Sequence, residues 1–207
     1  MPDATRPRAA RKSPAERAAE IRDAARALAL DGGLVAVTLR AVAARVGVAP
    51  ALVAHYEPSM DELVAQTFRA ITTDELADVV ELVTGAGEAS ARSRVRALVA
   101  TALDPARDDV TAVWVDAWSL GRRNPALAAA VRAVADGWQS QVARIVRDGI
   151  ADGEFGADVD ADAIAWLLVG IIDGLNAQSV VHDRHDPGRA EIVLRTIDRE
   201  LGARPDV

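Results

Sequence analysis

Four tryptophans are the side chains of this sequence best suited to gripping a small molecule, and all lie in its second half: Trp114, Trp118, Trp138 and Trp166. An indole face attracts cations and covers flat apolar surfaces. Trp114 and Trp118 are four residues apart and share a face of any helix that carries them. Trp138 and Trp166 fall in two other helical segments. Asp173 follows Trp166 by seven residues and so shares its face, where a carboxylate would balance a cationic ligand. Asp116 is two residues from each of Trp114 and Trp118 and should point away from both. Such residues either fill a core or line a pocket between helices, the usual location in a helical bundle.

Constellations for catalysis are thin. His182 and His185, three apart in His182-Asp183-Arg184-His185-Asp186, have a spacing that holds metals, but the run beside Pro187-Gly188 reads as a solvated turn. Asp158, Asp160 and Asp162 alternate as in a calcium loop, yet Ala163 and Val169 stand where that loop needs Gly and Glu. The absence of cysteine excludes disulfides, cysteine-zinc sites and thiol nucleophiles. There is no phosphate-cradling glycine loop and no nucleophile elbow. The expectation is a binding protein rather than an enzyme, with no metal site and no cofactor.

The elements that must position these residues are helices. Of the 207 residues half are hydrophobic, enough for a real core, and Val, Ile and Leu recur at spacings of three and four. The chain is expected to be all-α, with about nine helices. Ser13-Pro14-Ala15-Glu16 is a capping box that opens a first helix, stopped at Asp31-Gly32-Gly33. Thr38 caps a second, two-turn helix that ends at Gly47, and Pro50 starts a third that runs to about Tyr56. Ser59-Met60-Asp61-Glu62 opens a long fourth helix to about Val83. Two short helices around a tight turn, packed on a longer one, form either a helix-turn-helix that enters a DNA groove or a plain three-helix bundle.

Charge divides along the chain. Residues 1–56 hold nine Lys/Arg against five acids, whereas residues 57–207 hold 15 against 26. A basic first third suits an anionic partner, and the acidic remainder would be repelled by it, which confines contact to one end.

The run from Thr38 to Ser59, Thr38-Leu39-Arg40-Ala41-Val42-Ala43-Ala44-Arg45-Val46-Gly47-Val48-Ala49-Pro50-Ala51-Leu52-Val53-Ala54-His55-Tyr56-Glu57-Pro58-Ser59, strongly resembles the DNA-binding domain of TetR-family transcriptional regulators. Gly149 to Phe155 and Ile171 to Leu175 look like the C-terminal domain of the BetI-like branch. The resemblance implies that Thr38 caps the second helix at a DNA phosphate and that Arg40 lies near the backbone or a groove edge. It further implies that Pro50, Ala51 and Leu52 face bases, while His55 and Tyr56 end the recognition helix within reach of phosphates. Val53 should face the core. The sequence departs from the family at Ala49, where a capping Ser or Thr is usual, at Ala54 and Glu57, where aromatics are usual, and at Met60, where a phosphate-binding Lys is usual. Glu57 should add repulsion near the phosphates. The basic arm, through Arg6, Arg8, Arg11 and Lys12, is the candidate compensation.

The resulting organisation is a disordered arm at 1–12, a helix-turn-helix domain at 13–58, a connecting helix at 59–83 and a ligand-binding and dimerisation bundle at 84–207. Trp114, Trp118, Trp138, Trp166 and Asp173 are the candidate pocket. Double-stranded operator DNA, a small-molecule effector and a second copy of the chain are the expected partners. Asp160 to Val181 and Pro187 to Gly202 are the expected pairing helices, and Gly170 and Gly174 either permit close approach there or pack locally. The apolar run Ala163 to Ile172 is shorter than a membrane span and is expected to be a core helix. With no apolar segment behind the Arg-rich start, the protein is expected in the cytoplasm. The expected function is a ligand-released repressor; the alternative is a dimeric ligand-binding protein of the same fold that has lost DNA binding.

Overall fold

Capping chemistry sets the first helices where the sequence puts them. The computed structural model describes residues 12–84, 90–182 and 188–202. Helix α1 (Pro14–Gly32) opens on Ser13, whose Oγ accepts the Glu16 N–H at 3.2 Å while Glu16 Oε2 accepts the Ser13 N–H at 2.6 Å. A 3₁₀ turn (Leu34–Ala36) leads to Thr38, which caps α2 (Leu39–Val46) by accepting the Ala41 N–H at 3.2 Å. Gly47 then takes the left-handed conformation, φ +74°, that turns the chain into α3 (Pro50–Tyr56). There follow α4 (Met60–Thr84), α5 (Ala91–Ala102), a 3₁₀ turn (Pro105–Arg107), α6 (Asp108–Gly121), α7 (Pro125–Ala151), α8 (Ala161–His182) and α9 (Arg189–Glu200). The described residues thus form nine α-helices and no strand, as the sequence periodicity requires.

Two apolar cores run through the molecule, and helix α4 passes from one to the other. The first gathers Ile21 and Ala25 of α1, Val42 of α2, Val53 of α3 and Phe68 of α4. It is completed by Val113 and Ala117 of α6 and Leu127 of α7, so the first three helices, the head, are packed directly onto the C-terminal bundle. The second joins Val79 and Val83 of α4 to α5, α7, α8 and α9 through residues such as Leu98, Ile145, Leu168 and Ile197. Glu154 fastens its periphery, since its carboxylate accepts the N–H groups of Ala91 at 2.8 Å and Arg92 at 3.1 Å at the start of α5. The basic-arm residues Arg6, Arg8 and Arg11 and the stretch 183–187 lie outside the described residues.

Helix α8 corrects one expectation. It is not a wholly buried core helix: its stretch Ala161–Val181 has a mean hydropathy of 1.6, passes for a membrane span by length and composition, and is only 28% buried. Ile164, Leu168 and Ile172 supply the covered face. Trp166 and Val181, 69% and 73% exposed, lie on the other side, with Gly170 and Gly174, around whose missing side chains nothing approaches within 4 Å. Apolar residues run right round this helix, so periodicity could not tell the covered half from the bare one.

Candidate nucleic-acid interface and ligand cavity

The second and third helices present the residues singled out for DNA on one exposed surface. Thr38, Arg40, Pro50, Ala51, Leu52 and His55 are exposed, and Val53 is fully buried beneath them. Tyr56 is half-buried against the head core, with its ring 5.3 Å from that of His55 in an edge-on arrangement. Ala49 leaves α3 without a side-chain cap. Glu57 does not confront the surface as a bare charge: its side chain is mostly covered, and Arg22 of α1 pairs with it at 3.7 Å. Arg45 is tied to Asp31 at 2.6 Å and Lys12 to Glu20, which leaves Arg40 as the cation of this surface placed beside the Thr38 cap. Met60 is half-buried and packs on the head core.

Where the two cores meet, a cavity open to solvent is walled by indoles. Trp114 and Trp118 of α6 and Trp138 of α7 line it, together with Asp173 and Asn176 of α8 and Glu75 of α4. The Trp114 and Trp118 rings lie 6.0 Å apart at 40°, and Phe68 braces Trp114 edge-on at 4.9 Å. Trp114 Nε1–H donates to Glu75 Oε2 at 3.0 Å, and Arg107 Nε stands 3.7 Å from Glu75 Oε1. Burial pushes the Glu75 carboxyl above its usual range, against the lowering effect of the Trp114 and Arg107 contacts. Burial, then the negative charge of Glu75, lifts Asp173 to about 6. Four of the five expected pocket residues therefore converge.

Trp166 does not. Seven residues place it roughly 10 Å along α8 from Asp173, toward the helix start, where no neighbouring element among the described residues covers that side. Glu75 is the residue that sequence reasoning missed. Its signal was present: Ile71 and Val79, four residues to either side, are both buried, so a carboxylate sits on the inward stripe of α4. Asp116 points away from the indoles as its spacing requires, and its Oδ2 accepts the Val35 N–H of the turn before α2 at 3.2 Å.

A three-helix reading head on a helical bundle with an internal cavity defines the class. Residues 21–67 match the model described as bacterial regulatory proteins, tetR family, and residues 89–202 match the BetI-type transcriptional repressor C-terminal domain. The chain belongs to the TetR family of transcriptional regulators, with a C-terminal domain of BetI type. No curated protein matches it. Among solved structures it is similar to a regulator from Saccharomonospora viridis in complex with choline, with 24% identity and TM-score 0.74, covering 89% of this chain and 95% of that one. A TetR-family regulator from a Rhodococcus species shares 19% identity at TM-score 0.72, covering 90% and 99%. The fatty acid degradation regulator FadR from Bacillus halodurans shares 16% at TM-score 0.72, covering 94% and 100%. At these identities the likeness concerns the fold.

Proposed function

We propose that this regulator is a cytoplasmic repressor that binds a palindromic operator as a homodimer and releases it when a small organic cation enters the indole cavity. The observation that carries the reading is the cavity itself: three indole faces with two mostly covered carboxylates, of which Asp173 has no partner among the described residues, suit a cation that has lost its water. The choline-bound relative of the same fold is in keeping with this. The head reads DNA through α3, whose exposed Pro50, Ala51 and Leu52 offer apolar contacts to thymine methyls and to groove shape rather than a hydrogen-bonding code. Thr38, Arg40 and His55 supply backbone contacts.

A two-fold operator needs two such helices about 34 Å apart. The bare apolar side of α8, with Trp166, Gly170, Gly174 and Val181, and Ile192 of α9, 54% exposed, supports pairing there. Two elements favour coupling. Helix α4 joins both cores and carries Glu75, while α6 lines the cavity on one face with Trp114 and Trp118 and holds the head on the other through Asp116. A cation that draws either helix inward changes the spacing of the reading heads, and operator affinity falls by the difference in ligand affinity between the two states.

Selection of bound sequences from random duplex DNA tests the reading. A palindrome with half-sites one helical turn apart is the expected product. No enrichment from a protein that still binds choline would favour the dimeric ligand-binding alternative, to which the uncapped Ala49 and the missing phosphate ligand at Met60 already lean.

A further inference from the structure

The acids of the cavity are not equivalent, and the difference lies in Arg107. Glu75 is engaged twice, by the Trp114 N–H at 3.0 Å and by the Arg107 guanidinium at 3.7 Å. Arg107 comes from the short turn before α6, its side chain is mostly covered, and its Nε is buried without a hydrogen-bond acceptor, which points to a role for its charge rather than for a hydrogen bond there. Asp173 has no hydrogen-bond or ion-pair partner among the described residues, and the charge that bears on it is that of Glu75. Asp109, on the first turn of α6, also adds negative field at Glu75, but it is exposed and screened by water. With Glu75 paired to Arg107, which stands behind it and does not line the cavity, Asp173 is the carboxylate of the lining left without a cation among the described residues.

We infer that Arg107 is a specificity-determining residue which restricts the cavity to ligands of a single positive charge, the cationic centre standing at Asp173. The inference rests on the proposed cation reading and deepens it. A ligand with two positive centres would bring its second charge to a Glu75 already neutralised by Arg107, in a site of low dielectric where an unbalanced charge is costly. Removal of Arg107 frees Glu75 as a second counter-charge, and the preference for monocations should weaken or reverse.

The matched probes are butylammonium and 1,4-butanediammonium, equal in length and differing in one charge, titrated by tryptophan fluorescence at fixed ionic strength with choline as reference. The full-length protein should bind butylammonium at least about tenfold more tightly than the diammonium ion. Arg107→Met should shift that ratio toward the diammonium ion by about tenfold or more, and Arg107→Lys should keep the wild-type ratio. Should Arg107→Met not fold, Glu75→Gln supplies the complementary reading: with Arg107 then left unneutralised behind the cavity wall, affinity for butylammonium should fall about tenfold. A ratio unchanged in Arg107→Met, or an affinity unchanged in Glu75→Gln, overturns the assignment while leaving cation binding intact. Binding of neither amine nor choline to the wild-type protein removes the cation reading and this inference with it.

Discussion

The carboxylate of Asp116 on α6 accepts the backbone N–H of Val35 at 3.2 Å, across the seam between the helix-turn-helix domain and the C-terminal bundle. The approach is close enough to demand glycine next door: Gly33 has φ +76°, and a Cβ there would stand 2.3 Å from Asp116 Oδ2. Thr38, the cap of α2, follows three residues after Val35. Asp116→Ala should leave choline affinity within about twofold, because the residue faces away from the indoles. It should weaken choline-driven release of operator by roughly 1 kcal/mol, about fivefold. Anisotropy of labelled operator with and without saturating choline measures this; wild-type coupling in the variant would exclude α6 from the relay.

The surface of α3 separates contact from packing. Leu52 and His55 are exposed, so Leu52→Ala with His55→Ala should lower operator affinity about tenfold or more and leave the melting temperature nearly unchanged. Val53 is fully buried, and Val53→Ala should cost about 2 kcal/mol of stability. Tyr56 belongs to both groups, since its ring is half-buried on the head core, and its removal would confound the two effects. Unfolding of the Leu52/His55 double variant would mean that these side chains hold the head together.

Ala49 marks a vacant cap. Ala49→Ser offers an acceptor to the first N–H groups of α3 and should stabilise the protein by up to about 1 kcal/mol, seen as a higher melting temperature. An unchanged or lower value would show that the start of α3 is satisfied by other means.

On the proposed reading, Asp173 should make cation binding depend on pH. With its carboxyl lifted to about 6, binding a cation expels a proton near neutrality, and affinity should climb from about pH 5 to about pH 7 and then level off. The sign for stability is the reverse. The folded state holds this proton more tightly than the unfolded chain, so the stability it contributes is full below the usual value of 3.8 and is lost as pH rises to about 6. Asp173→Asn should therefore raise the melting temperature at about pH 7, give no gain at about pH 4, and lose choline binding across that range. Calorimetric titration in buffers of different ionisation enthalpy measures the proton release. Its absence would mean that Asp173 is not the counter-charge.

The fold was legible because its punctuation is strong. Ser13, Gly33, Thr38, Gly47 and Pro50 bound the first three helices at the places where their capping chemistry requires. The indole cavity was legible from Trp114, Trp118, Trp138 and Asp173 as residue types, but not from spacing alone. Trp166 shares the angular face of Asp173 and still lies outside, since a helix face is covered only where another element reaches it. Glu75 was hidden because its partners, Trp114 and Arg107, are 39 and 32 positions away in sequence. The partner of Glu57 was hidden for a similar reason: local sequence shows a carboxylate beside α3, and only the packing of α1 brings Arg22 to it.

The most direct test titrates choline into the protein bound to its selected operator while tryptophan emission and operator anisotropy are followed together. The expected result is a saturable change in emission and a loss of anisotropy over the same concentration range, both absent in Asp173→Asn. An emission change with the operator still fully bound, or operator release that persists in Asp173→Asn, would contradict the account.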